Sequence, residues 1–106
     1  MVENILLGEL RTGDRVVIRT THSVYEMWME YPDRAMGVLR GGHLPSPSRV
    51  RVASEYSTSS DASSRPLRVG DRARVVVVGP DGEPTRCFVT SRIVAMAIHP
   101  GHRAVA

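Results

Sequence analysis

Apolar and polar residues alternate in short runs along most of this chain, and Gly, Pro, Asp or Ser bounds each run. "DRVVIRT" (Asp14 to Thr20), "RVRVAS" (Arg49 to Ser54), "RARVVVVG" (Arg72 to Gly79), "TRCFVTS" (Thr85 to Ser91) and "RIVAMAI" (Arg92 to Ile98) are rich in β-branched residues. A period of two sends successive side chains to opposite faces, so each run reads as a strand with one face on a core. Gly13-Asp14, Gly41-Gly42, Gly70-Asp71 and "GPDGEP" (Gly79 to Pro84) supply the turns. Asp81-Gly82, between "VVVV" and "TRCFV", is the clearest hairpin, because these residue types tolerate the left-handed turn conformation. Strands this short at this spacing predict an all-β fold. The expected form is a single-domain barrel or sandwich, SH3-like or OB-like in size, with six to eight short antiparallel strands.

The chain also echoes itself. "ELRTGDRVVI" (Glu9 to Ile18) aligns with "PLRVGDRARV" (Pro66 to Val75), sharing Leu-Arg and then Gly-Asp-Arg. Leu10 and Leu67 are expected to plug the ends of a barrel, and each Gly-Asp to make the turn that launches a strand. The serine-rich stretch "ASEYSTSSDASSRP" (Ala53 to Pro66) lies between the two copies and reads as a surface connector. One domain over residues 1–98 is therefore expected, with a mobile loop at 54–65 and a flexible tail at 99–106.

"TTHSVYEMWMEYPDRAMGVLRGG" (Thr20 to Gly42) contains three of the five aromatic residues and admits two readings. As a helix, Ser23 would cap it, Glu26 would complete the capping box, and Val24, Met27, Trp28 and Tyr31 would share a face. Two turns of helix are marginal alone. As a strand, Tyr25, Met27, Met29 and Tyr31 face the core, while Trp28 sits on the other face between Glu26 and Glu30. "YPDR" then turns into a second strand, "AMGVLR". The β-rich surroundings favour the strand.

Composition changes this picture little. The pI is 9.7, yet the formal charge is only +3, from 14 basic and 11 acidic residues. All the basic residues are arginine and none is lysine, a pattern better matched to coding bias than to selection for phosphate contacts. Cys87 is the only cysteine, which excludes an intramolecular disulfide. "MVENILLGEL" lacks the features of a signal peptide, and the apolar runs "RVVVVG" and "IVAMAI" are too short for a membrane span. A soluble cytoplasmic protein is expected.

Catalytic and metal motifs are weak. Gly-x-Ser-x-Gly, a P-loop and Gly-x-Gly-x-x-Gly are all absent. Glu26 and Glu30 on one strand face stand about 13 Å apart by strand rise, too far for a glycosidase pair. His99 and His102, joined in space by His22 and His43, are the best zinc candidates, but a tail supports ligands poorly. The expectation is no enzyme, no cofactor and no metal.

Binding is better supported. Arg49 and Arg51 project from one strand face, as do Arg72 and Arg74, and Trp28 or Tyr56 could stack on a ligand. The tentative site for a partner or a nucleic acid is Trp28, Arg49, Arg51, Arg72 and Arg74. Alternatively, these arginines pair with Asp71, Glu83 or Glu55 and serve solubility. The first expectation is a non-catalytic protein-binding or self-assembly module, a homodimer included. An arginine-mediated single-stranded nucleic-acid binder is second.

"TTHSVYEM", "GVLRGG", "RVRVAS" and "VTSRIVAM" together resemble a family of small bacterial β-proteins. In that family a Thr-x-x-Ser-x-Tyr strand, a Gly-Gly turn and a terminal Thr-Ser-Pro-Val-like strand recur. Thr20, Ser23, Tyr25, Gly41, Gly42, Thr90 and Ser91 match, whereas Arg92-Ile93 replaces Pro-Val. The resemblance implies an all-β fold and carries no established function.

Overall fold

The computed structural model describes residues 1–58 and 64–101. Its eight strands are β1 (Asn4–Ile5), β2 (Arg15–Thr20), β3 (Val24–Tyr31), β4 (Met36–Gly41), β5 (Ser48–Ser54), β6 (Leu67–Arg68), β7 (Arg72–Val78) and β8 (Pro84–His99). Six of them close a barrel in the order β2-β3-β4-β5-β7-β8, with every pairing antiparallel. Strands β1 and β6 form a separate two-stranded sheet. Among the described residues no helix is long and apolar enough to cross a membrane.

Residues 24–31 form a strand, as their alternation predicts. Tyr25, Met27 and Met29 are buried, while Glu26, Trp28 and Glu30 face outward and are half-buried. Tyr25 and Met27 have cross-strand partners on both β2 and β4, and Met29 on β4, support that a two-turn helix would lack. Tyr31 departs from the expectation that all the tyrosines here fill the core, being 52% exposed. The β3–β4 register slips between Met29 and Tyr31, and that extra residue swings the phenol outward.

The two strands expected at the C-terminal end are one strand of 16 residues. Its first part pairs with β7 and its last part with β2; two register shifts interrupt the β7 ladder and one the β2 ladder. Bulges bend a strand and re-phase its faces, and so β8 coils far enough to close the barrel. Thr90 fills the irregularity opposite Arg72 to Arg74, its hydroxyl accepting from the Ala73 N–H at 3.0 Å.

The internal echo is a repeated turn. Asp14 N–H donates to Arg11 O and Asp71 N–H to Arg68 O, both at 3.0 Å. Gly13 and Gly70 adopt φ of +93° and +96°, which glycine tolerates best. Each Gly-Asp then exchanges two backbone hydrogen bonds with one residue, Met29 in the first copy and Ile93 in the second. Leu67 is buried in the core, whereas Leu10 packs at its margin. The copies differ in their carboxylates. Asp14 accepts from Arg11 N–H and from Gly101 N–H, and Asp71 accepts from the Ser54 hydroxyl.

The positions that carry the family resemblance have fold-making tasks. The Thr20 hydroxyl accepts from Ser23 N–H within the β2–β3 turn. The Tyr25 ring lies where a Gly42 side chain would be, and Ser91 Oγ accepts from His22 N–H. None of them points to a ligand.

In the serine-rich connector, Ser54 ends β5, and Ser54 and Ser57 are buried. Residues 59–63 of the predicted mobile loop lie outside the described residues. In the tail, His99 ends β8 and Gly101 is held by Asp14, while residues 102–106 lie outside the described residues.

Candidate functional site

The barrel interior is filled by its own side chains, Val16, Met27 and Val50 being wholly inaccessible. Chemistry is therefore displayed on the outer wall. One row of cross-strand neighbours runs Arg15, Trp28, Val38, Arg49 across β2, β3, β4 and β5. A second row beside it runs Val17, Glu26, Arg40.

Charges on this wall are paired. Glu26 accepts from Arg15 at 2.8 Å and from Arg40 at 2.6 Å. Glu30 receives both Nε and Nη2 of Arg49, at 2.9 and 3.3 Å, the fork geometry that fits guanidinium to carboxylate. The Arg40 guanidinium also lies 5.4 Å from the centre of the Trp28 ring, within cation–π range. The hydrogen bond from Arg40 holds the Glu26 carboxyl below its ordinary value against an opposing effect of burial, and Arg15 adds to it. The hydrogen bond that Arg49 donates to Glu30 raises Arg49 above its ordinary value.

These shifts have a signed consequence. The folded-state value of Glu26 lies below its unfolded value, so its ion pairs favour folding above the ordinary glutamate range. That contribution is lost as pH falls through the lowered value. A carboxyl NMR titration should place Glu26 below a typical glutamate, and added salt should move it back. An ordinary midpoint at low salt would show that the Glu26 pairs do not hold in solution.

Of the five residues singled out by sequence, Trp28 and Arg49 belong to this paired wall. Arg51 is two residues further along β5, with its guanidinium 3.9 Å from the Met36 sulfur. Arg74 donates to Ser57 O at 2.5 Å, and Arg72 opposes Arg92 across the β7–β8 ladder. Among the described residues Arg51, Arg72 and Arg74 make no ion pair with a carboxylate. The pairing foreseen with Asp71, Glu83 and Glu55 does not form; Asp71 holds Ser54, and Glu55 accepts the backbone N–H of Arg72. Sequence reasoning missed Arg15 and Arg40, which only cross-strand register brings to Trp28.

Among the described residues His22 and His99 do not converge. His22 follows the end of β2, whereas His99 is opposite Arg15 at its start, so the six-residue strand holds them about 20 Å apart. Among the described residues no group of three or more His, Cys, Asp or Glu side chains is placed to hold a metal ion. His102 lies outside them. Cys87 is exposed on β8 opposite Val76. Comparison with protein-family models, curated proteins and solved structures finds no match.

Proposed function

We propose that this chain is a non-catalytic binding module that recognises a protein partner, or a second copy of itself, through the outer wall centred on Trp28. The carrying observation is the placement of Trp28 beside Glu26 and Glu30, with Arg15, Arg40 and Arg49 paired to those acids. A phosphate backbone laid across Trp28 would meet two carboxylates. A protein surface of mixed charge would meet complementary groups of both signs, around the residue types that most often anchor interfaces. Both signs on one patch also suit an isologous contact, in which the same surface faces itself across a two-fold axis. Closure of the barrel pairs its six strands on both sides, so recognition falls to side chains rather than to an added strand. The exposed thiol of Cys87 fits a reducing cytoplasm.

Sedimentation equilibrium of the wild-type protein and of Trp28→Ala, over a range of concentrations, tests self-recognition. The wild type is expected to show a concentration-dependent mass and a blue shift of Trp28 emission on association. Trp28→Ala should associate at least about 30-fold more weakly, the effect of removing an interface anchor, with an unchanged far-ultraviolet spectrum. A wild type that stays monomeric throughout, or a variant that associates equally well, overturns self-recognition through Trp28.

A further inference from the structure

We infer that a second surface, on the outer wall of β5, β7 and β8, binds single-stranded nucleic acid along a track formed by Arg51, Arg74, Arg72 and Arg92, with Tyr56 as the stacking platform. Register sets the track. Arg51 is opposite Val76 and Arg74 opposite Ala53, which makes the two arginines diagonal neighbours across β5 and β7. Arg74 and Arg72 are two residues apart on one strand face, and Arg72 is directly opposite Arg92. Neighbouring Cα atoms in such a series are about 5–8 Å apart. The β8 bulge is what brings Arg92 onto this face, because Val89 opposes Arg74 where a regular ladder would place residue 90.

How these guanidiniums are held separates this wall from that of Trp28. There, three arginines are neutralised by Glu26 and Glu30. Here, Arg74 donates to Ser57 O and Arg92 to Gly70 O at 2.8 Å, both uncharged acceptors. A carbonyl fixes the side chain and leaves its full charge for an anion, so the ordering cost of binding is already met in the free protein. Arg72 and Arg92 also oppose each other as like charges, an arrangement that disfavours folding and that an anion between them would relieve.

Tyr56 identifies the class of anion. It is 61% exposed, next to the Ser57 carbonyl that Arg74 engages, and lines a polar cleft with Arg65, Arg68 and Asp71. An exposed aromatic ring beside a cationic track is the arrangement by which single strands are held, bases on the ring and phosphates on the arginines. Strand faces on a closed barrel offer no helix or ribbon to enter a duplex groove.

Fluorescence anisotropy of a dye-labelled, mixed-sequence single-stranded oligonucleotide tests this, at low and at physiological salt. Saturable binding that falls with salt is expected, tighter than for the matching duplex. Arg72→Gln and Arg92→Gln should each weaken binding several-fold and flatten the slope of log K against log salt by about 0.7. Tyr56→Ala should weaken it about tenfold. Arg72→Gln removes a guanidinium that has no bonded partner among the described residues, so it should melt no lower than wild type, which separates lost binding from lost folding. Trp28→Ala should bind the oligonucleotide like wild type, so failure of the Trp28 interface and failure of this track are distinguishable. The proposal falls if nothing binds at low salt, if Arg72→Gln binds normally, or if the duplex binds as tightly. It also falls if polyglutamate or phosphatidylserine vesicles displace the oligonucleotide at equal charge, which would assign the face to an acidic protein or a membrane.

Discussion

Gly37→Ala should lower the thermal midpoint of this protein by more than about 10 °C, corresponding to a loss of at least about 3 kcal/mol. A Cβ at that position would lie 2.1 Å from the Trp28 carbonyl oxygen and 2.9 Å from its carbon. Both atoms belong to the backbone of β3, which is hydrogen-bonded to β2 on one side and β4 on the other. Backbone pinned from both sides cannot yield a full ångström without breaking a ladder. Gly37 faces Met29 at the point where the β3–β4 register slips, so the missing side chain is what lets the two strands approach there. Domains of this size hold only about 5–15 kcal/mol in all, and the variant should be poorly soluble at working temperatures. Gly13→Ala provides the contrast. Its φ of +93° penalises alanine, yet nothing lies within 4 Å of the added atom, so a loss of only about 1–2 kcal/mol is expected. Circular dichroism melts of both variants would settle the matter. A Gly37→Ala midpoint within a degree or two of wild type would show that β3 and β4 are not packed this closely.

Gly37 also marks where legibility ended. The β-rich surroundings favour a strand over residues 24–31, and alternation then tells which of residues 24–30 face outward, because period two distinguishes faces without knowledge of partners. It did not tell which strands are neighbours. Glu26 meets Arg15 and Arg40, at sequence separations of 11 and 14, and no local pattern encodes those contacts. Arg49, Arg51, Arg72 and Arg74 read alike in the sequence, yet β3 supplies an acid to Arg49 while β5, β7 and β8 supply none. Bulges caused the remaining misreadings. Alternation counts Tyr31 as core one residue beyond a slip, and it starts a new strand at Arg92 where the chain continues β8 in a shifted phase. Bulges are invisible in a hydrophobic pattern because they look like an ordinary lapse of alternation. In this barrel they are also what turns side chains toward solvent, so the fold was more legible than the surfaces proposed for binding.

Leu67→Ala should cost about 2–5 kcal/mol, whereas Leu10→Ala, at the equivalent place in the repeated turn, should cost about 1 kcal/mol. Sequence treats the two leucines alike, and the structure does not. Leu67 is 1% exposed and faces Ile5 across the β1–β6 pair, so its truncation leaves a cavity in the core. Leu10 is only partly buried, and neighbouring side chains or water can fill the space it vacates. Strand β6 has two residues and is secured mainly by this leucine and by the turn that follows it. Denaturant titrations should show a lower midpoint for Leu67→Ala with an unchanged slope, the signature of lost stability in the same cooperative unit. A double-mutant cycle with Ile5→Ala should give a coupling above about 0.5 kcal/mol, as expected for side chains in contact. Equal costs at Leu67 and Leu10 would contradict the burial difference. Because Arg68, Gly70 and Arg72 follow within five residues of Leu67, the leucine also anchors the segment that presents the arginine track. A folded Leu67→Ala protein should accordingly bind single strands more weakly than wild type while its Trp28 surface, on the strands β2 to β4, is unaffected.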